Sequence, residues 1–296
     1  LPARHHTDQG QADILAAVAQ HRLAAQALRQ GDRDRYLATL VLPAAARPGI
    51  TALYAFNADV AAIRDRVSGP QPGEIRLQWW SDAIAGQGHG AVHQNPLAAA
   101  LLETLERYKL PTGTLLRLIG ARRFDLYDDP MPDLETFEGY AGETASTLFQ
   151  LAAMILNDGE PVEPGDAAGH LGVAQAMTGH LRAFGYVSAQ GRIMLPWSIL
   201  EANGVKEVEV FAGRESEGLH AALGQIAELA NDHLCKARLA VAQLPPVLRP
   251  AFAAMPVLEA QLALLQKQSA NPFAAPQDDA DWRKIARLAW WTLKNR

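Results

Sequence analysis

The sequence predicts an all-α fold on three observations: apolar residues recur at helical spacing in run after run, alanine fills many of the gaps, and every break is dense in Gly, Pro or Asn. No interval shows sustained period-two alternation rich in Val, Ile and Thr, so a sheet has no source. With 296 residues, 49% hydrophobic and only 20% charged, the chain can bury a substantial core.

Residues 13–28 carry Ile14, Leu15, Val18, Leu23 and Leu28 and predict a first helix, interrupted at Gly31 and Asp32. A second run, 35–42, stops at Pro43, whose ring nitrogen cannot donate the bond that a continuing helix needs. The third is predicted over 47–67. After the breaker Ser68-Gly69-Pro70-Gln71-Pro72-Gly73 the pattern resumes over 74–84 with Leu77, Trp79, Trp80 and Ile84. Later breaks fall at 86–96, 130–132, 157–169, 196–204, 245–256 and 269–276, with helical runs between them. There is no internal repeat and no long linker, so 11–296 read as one domain behind a loose arm at 1–10.

Thirty-two acidic against 27 basic residues give a net charge of -5, which points away from nucleic acid as a partner and requires any anion site to be local. No stretch approaches the ~20 apolar residues that span a bilayer, and the first residues lack a charged-then-apolar signal pattern. The expectation is a soluble, cytoplasmic protein. Cys235, the single cysteine, excludes an intramolecular disulfide and reads as a small buried residue on a helix.

Several blocks carry a resemblance. They are Tyr36-Leu37-Ala38-Thr39-Leu40-Val41-Leu42-Pro43, Ala52-Leu53-Tyr54-Ala55-Phe56-Asn57-Ala58-Asp59-Val60, Gly73-Glu74-Ile75-Arg76-Leu77-Gln78-Trp79-Trp80, Leu171-Gly172-Val173-Ala174-Gln175-Ala176-Met177-Thr178 with Leu181-Arg182, and Gly191-Arg192-Ile193-Met194-Leu195-Pro196. In this order, with Asp125-Leu126 and Glu138-Gly139-Tyr140-Ala141-Gly142 between, the sequence resembles the squalene/phytoene synthase family over nearly its whole length. The resemblance implies an isoprenoid (class I terpenoid) synthase-like helical bundle with a central cavity, in which two prenyl diphosphates meet head to head under magnesium.

That chemistry needs two aspartate-rich helical motifs, because Mg²⁺ takes hard carboxylate oxygens and must neutralise the departing diphosphate. Carboxylates at i and i+4 lie only ~40° apart around a helix and can share an ion. Where the family has its first motif, this chain reads Ala61-Ala62-Ile63-Arg64-Asp65; at the second, Ala183 and Val187 stand in the acidic positions. Asp59, six residues from Asp65, would lie about 120° away on a continuous helix. The tyrosine usual before Leu-Pro is Met194.

A scaffold kept without its metal ligands resembles the family branch linked to assembly of respiratory complex I. The resemblance implies a non-catalytic assembly factor without cofactor, with a complex I subunit or assembly intermediate as partner, peripheral to the inner membrane or in the mitochondrial matrix of a eukaryote. Its alternatives are an active prenyl-diphosphate transferase using Mg²⁺ and a carrier of an isoprenoid or anionic lipid. No catalytic residue and no metal ligand is assigned. Tyr54, Asn57, Arg64, Asp65, Arg76, Arg182 and Arg192 are the candidates for lining the cavity and holding a ligand. The arginine forks suit phosphate or carboxylate, or else pair with Asp65, Glu74 or Glu143. Tyr54, Phe56, Trp79 and Trp80 are expected to build core walls.

Other signals weigh less. Asp125 and Asp129 have i,i+4 spacing, but Pro130 and Pro132 follow, and Asp125, Asp128 and Asp129 read as a solvated helix end. His89 and His93 sit among glycines and read as loop, while His180 is expected to face the cavity or pack. The last helix is preceded by Asp278, Asp279 and Asp281 and shows one stripe of Trp282, Ile285, Ala289 and Leu293 and another of Arg283, Arg287 and Lys294. Trp290 and Trp291 with Lys294 and Arg296 suit a membrane interface or an acidic partner, unless the helix docks with its basic face in solvent.

Overall fold

The computed structural model describes residues 3–88, 91–267 and 271–295, and among them every regular element is a helix. In chain order these are α1 (Ala3–Gly31), α2 (Arg33–Thr39), α3 (Arg47–Ala61), α4 (Pro70–Ile84), α5 (Pro96–Arg107), α6 (Thr112–Arg122), α7 (Leu134–Ala141), α8 (Thr147–Leu156), α9 (Gly165–Ser188), α10 (Trp197–Ala202), α11 (Glu207–Phe211), α12 (Glu217–Gln243), α13 (Met255–Lys267) and α14 (Asp281–Lys294). The backbone of α1 begins at Ala3, ahead of the residue-13 boundary that apolar spacing predicts, so its first turns extend into the segment expected as an arm.

The helix α3 is central: every residue from Gly49 to Ala58 is buried, and Ile50, Ala52, Leu53 and Phe56 are wholly enclosed. Only a helix whose apolar residues cover all faces can take that place. The long helices α9 and α12 pack along each other on one side, and α1 packs on α3 and α5 on the other. Phe56 and Trp80 meet edge to face at 5.0 Å, and Trp79 packs on Trp80 in the same way, which joins α4 to the core as the sequence predicts.

Three boundaries differ from the sequence reading. First, α3 ends at Ala61 rather than near residue 67, and Arg64–Arg66 form a separate tight turn of 3₁₀ type. The chain therefore rotates after Ala62, and Asp59 turns away from Asp65 to accept from Trp80 Nε1 at 3.0 Å and Arg66 at 2.6 Å. Second, the Pro-Gln-Pro-Gly segment read as a breaker is the first turn of α4, where a proline loses no helical bond because the first N–H groups have no partner anyway. Third, short helices occupy three of the predicted breaks, a 3₁₀ turn at Val92–Gln94 in 86–96, α10 in 196–204 and a 3₁₀ turn at Arg249–Phe252 in 245–256.

Between α7 and α8 the helix widens into a π turn at Gly142–Ser146, where one extra residue is accommodated per turn. The bulge pushes Ser146 against α9, and the Ser146 hydroxyl donates to the Gly169 carbonyl at 3.2 Å. Gly172 makes this approach possible: a Cβ there would fall 2.1 Å from Ser146 Oγ and 2.4 Å from its nitrogen. Gly172→Ala is accordingly expected to lower unfolding free energy by about 1–3 kcal/mol. At Gly179, where a Cβ would meet nothing within 4 Å, Gly179→Ala is expected to raise it by up to about 1 kcal/mol. Urea denaturation of the two variants checks both signs.

Candidate functional site

A cavity of about 430 Å³ opens between α2, α3, α7, α9 and α13. The end of α3 and the turn after it contribute Asn57, Ala61, Arg64 and Asp65; α9 contributes Gln175, His180, Arg182, Ala183, Tyr186 and Val187; α2, with the Asp32 that caps it, contributes Asp34 and Arg35. Arg122 and Asp125 close one side with Tyr140, and Gln261 of α13 closes another.

The wall is built from charged groups that satisfy one another. Asp32 caps α2 by accepting from the Arg35 backbone N–H at 3.0 Å and pairs with the Arg35 guanidinium at 3.1 Å. Arg35 also donates to Gln175 at 2.9 Å and stands over the Tyr54 ring at 5.0 Å. Across the cavity, the Tyr140 hydroxyl donates to Asp125 at 2.7 Å, and Arg122 reaches Asp125 at 3.1 Å, Tyr140 at 2.6 Å and Asn57 at 3.4 Å. Burial works against the Arg122 charge, yet Tyr140 and Asp125 more than offset it and hold the guanidinium's pKa above its ordinary value. Burial pushes the Tyr140 hydroxyl up as well, so it stays protonated.

At the rim, Lys284 of α14 donates to Asp34 and to Asp278 at 2.6 Å each, and Arg182 pairs with Asp278 at 3.0 Å and Asp34 at 3.6 Å. Gln261 adds a bond to Asp34 at 2.6 Å. Burial opposes ionisation of Asp278, but the Lys284 bond and the Arg182 charge outweigh it and hold the carboxyl below the usual range. This cluster ties α2, α9, α13 and α14 together.

Five of the seven candidate residues line the cavity: Asn57, Arg64, Asp65, Arg182 and Arg192. Tyr54 does not; it lies beneath Arg35 in an adjoining small pocket, where burial raises its hydroxyl to about 12. Arg76 is on the exposed face of α4, because the turn that begins α4 at Pro70 directs Gly73, Leu77 and Trp80 inward instead. Asp65 pairs with Arg192 at 3.5 Å as anticipated, whereas Glu74 and Glu143 pair with Arg123 and Arg117.

Other residues depart from expectation. Asp125 is buried in a 3₁₀ turn, where it pairs with Arg122, rather than at a solvated helix end, and Asp128 reaches back to a second cavity arginine, Arg64, at 2.9 Å. Cys235 is exposed on α12 instead of buried, since Leu234 and Ala237 occupy that helix's inner face. His93 lies exposed in a 3₁₀ turn; His89 lies outside the described residues. His180 both lines the cavity and packs on Phe137 at 5.8 Å and Tyr140 at 6.3 Å. Sequence reasoning missed Asp34, Arg35, Arg122 and Gln261, whose positions depend on which helix faces they share. The Arg122–Asp125 spacing of i,i+3 was the one local sign.

The donor set does not fit magnesium. Ala61, Ala183 and Val187 line the cavity with hydrocarbon where the resemblance implies carboxylates, and Asp32, Asp34, Asp65 and Asp125 each face a cation of the protein itself. Among the described residues no three His, Cys, Asp or Glu side chains converge as a metal site. Five lining arginines stand against four lining aspartates, and Arg64, Arg122, Arg182 and Arg192 each retain a buried Nε–H without a partner. This excess of cationic lining favours an anion over a cation.

Residues 28–287 match the family described as squalene/phytoene synthase. The chain belongs to that family. It is 30% identical to the rat protein named NADH dehydrogenase (ubiquinone) complex I, assembly factor 6, over 83% of this chain and 74% of that one. To the 15-cis-phytoene synthase of Synechococcus elongatus it is 24% identical over 86% of each chain. A crystal structure of a dehydrosqualene synthase in complex with a ligand superposes with a TM-score of 0.80 at 20% identity, covering 95% of this chain and 98% of that one. This squalene/phytoene synthase family member thus has the all-α isoprenoid-synthase fold that the sequence predicts.

Two measurements follow from the cavity. Burial pushes His180 down to about 4, whereas an unfolded chain binds that proton near 6.5. The unfolded state therefore holds more protons between these values. Stability is complete above pH 6.5 and falls as pH drops toward 4, by up to about 1.4 kcal/mol per pH unit from this residue. His180→Phe is expected to flatten the slope in urea titrations between pH 7 and pH 4.5. Lys284→Met leaves Asp34 and Asp278 with Arg182 as their remaining cation, and is expected to cost about 1–3 kcal/mol in thermal or urea unfolding.

Proposed function

We propose that this squalene/phytoene synthase family member is non-catalytic and serves the assembly of respiratory complex I, acting on a complex I subunit or an assembly intermediate. The observation that carries the reading is the replacement of facing carboxylates by Ala61, Ala183 and Val187 on the cavity walls, with the surviving Asp65 beside Arg192. Without clustered oxygens on both walls, no pair of divalent ions can draw a diphosphate from its allylic carbon. The likeness to the rat assembly factor supports the choice of process. The reading implies a location on the side of the membrane where the complex is built, cytoplasmic in a bacterium and the matrix in a mitochondrion.

A second reading concerns the cavity alone. The five lining arginines against four lining aspartates favour an anionic amphiphile, an isoprenoid or lipid with a phosphate or carboxylate head, held without a metal. Asn57, Arg64, Arg122, Arg182 and Arg192 would meet the head group, and nothing in this binding requires a cofactor.

Deletion of the gene is expected to lower the amount of assembled complex I, measured by native gels and NADH oxidation in membranes, and re-expression to restore it; unchanged complex overturns the assembly role. Purified protein given farnesyl or geranylgeranyl diphosphate with Mg²⁺ is expected to release no diphosphate above a blank. Turnover would show an active transferase instead.

A further inference from the structure

The helix α14 is docked by one face and bare on the other. Lys284, Leu288 and Thr292 are buried, with Leu288 packed among Leu37, Ala38, Ala253 and Val257. The Lys284 bonds to Asp34 and Asp278 and the Arg33–Asp281 pair fix the helix in rotation as well as position. What this orientation turns outward is apolar: Trp282 is 67% exposed, Trp290 62%, Leu293 61% and Ile285 38%. At about 100° per residue, Trp282, Ala286, Ala289 and Leu293 fall within a roughly 60° arc, with Ile285 on one flank and Trp290 on the other.

The basic residues Arg283, Arg287 and Lys294 run along the Trp290 edge of that arc. Arg283 stands over the Trp282 ring at 5.3 Å and Lys294 over Trp290 at 4.9 Å. Asp279 pairs with both Arg283 and Arg287, so three cations face one carboxylate along this edge. In a chain of net charge -5 this is a local positive strip.

Exposed large apolar side chains aligned on one helix face mark an interaction surface. Two tryptophans with cations alongside match the boundary of a bilayer, where the ring enters the acyl edge and the cation stays with the head groups. No helix among the described residues is long and apolar enough to cross a membrane, so contact by this route would lie in the plane of the surface.

We infer that the outer face of α14, through Trp282, Ile285, Trp290 and Leu293 with Arg283, Arg287 and Lys294 at its edge, docks the protein peripherally on an anionic lipid bilayer. The strip of cations selects lipid of negative charge over a neutral surface. This inference stands independently of the role in complex I assembly, since it uses only the geometry and charge of one helix.

The test is sedimentation of the full chain with vesicles of phosphatidylcholine alone and of phosphatidylcholine with phosphatidylglycerol. Binding is expected to the mixed vesicles and to weaken when salt is raised to about 1 M, where the screening length falls to roughly 3 Å. The double variant Trp282→Glu/Trp290→Glu is expected to lose about tenfold or more of that binding while keeping its circular dichroism and melting temperature, because both rings lie outside the core. Arg283→Gln/Arg287→Gln/Lys294→Gln is expected to lose the preference for anionic vesicles. The inference is overturned if the wild type sediments with neither vesicle, which would leave the face to a protein partner. Equal binding by the Trp double variant also overturns it, as does a wild-type dimer in light scattering that the same substitutions dissociate, which would assign the face to a second copy.

Discussion

A carboxylate already paired with a guanidinium or ammonium is a poor ligand for a divalent ion, because the ion must displace the cation and overcome its repulsion. The cavity of this protein obeys that constraint throughout: Asp32 serves Arg35, Asp34 serves Lys284, Asp65 serves Arg192 and Asp125 serves Arg122. The loss of metal ligands in the sequence and the pairing of those that remain are therefore one design. Ala61 and Ala183 remove donors, and the arginines neutralise the acids that are left.

The same pairs hold the bundle together. Buried ion pairs contribute little net stability when compared with apolar replacements, but removing one partner is costly because it strands the other. Asp32 shows how closely the local and global roles are joined, as it caps α2, anchors Arg35 and lines the cavity at once. Tyr140 and His180 sit against each other on the opposite wall, both uncharged near neutrality through burial. The cavity is thus polar without being a reservoir of free charge.

Helix content and five of the residues that line the cavity were legible in the sequence, for physical reasons that separate them from what was not. Breaks dense in Gly, Pro and Asn framed the helical runs that hold α3, α9 and α12, and the blocks around Asn57 and Arg182 pointed to the two walls that face each other. Hidden from sequence were the features set by rotation of one helix against another. The early end of α3 sets Asp65 in a separate 3₁₀ turn; the rotation of α4 carries Arg76 to solvent; the orientation of α12 exposes Cys235. Arg122 and Lys284 are ordinary surface residues to a sequence reader, and become central only once helices far apart in the chain meet around them.

The bond between Asp34 and Lys284 joins residues 250 positions apart. Closing so long a loop is slow relative to local helix formation, and it has to wait for α14 to be synthesised. During translation the earlier helices can collapse on α3 while Asp34 and Arg182 still face water. Until α14 is in place, Asp34 keeps only Arg182 and Gln261 as partners, so the side of the cavity that they form is closed by a contact between distant parts of the chain.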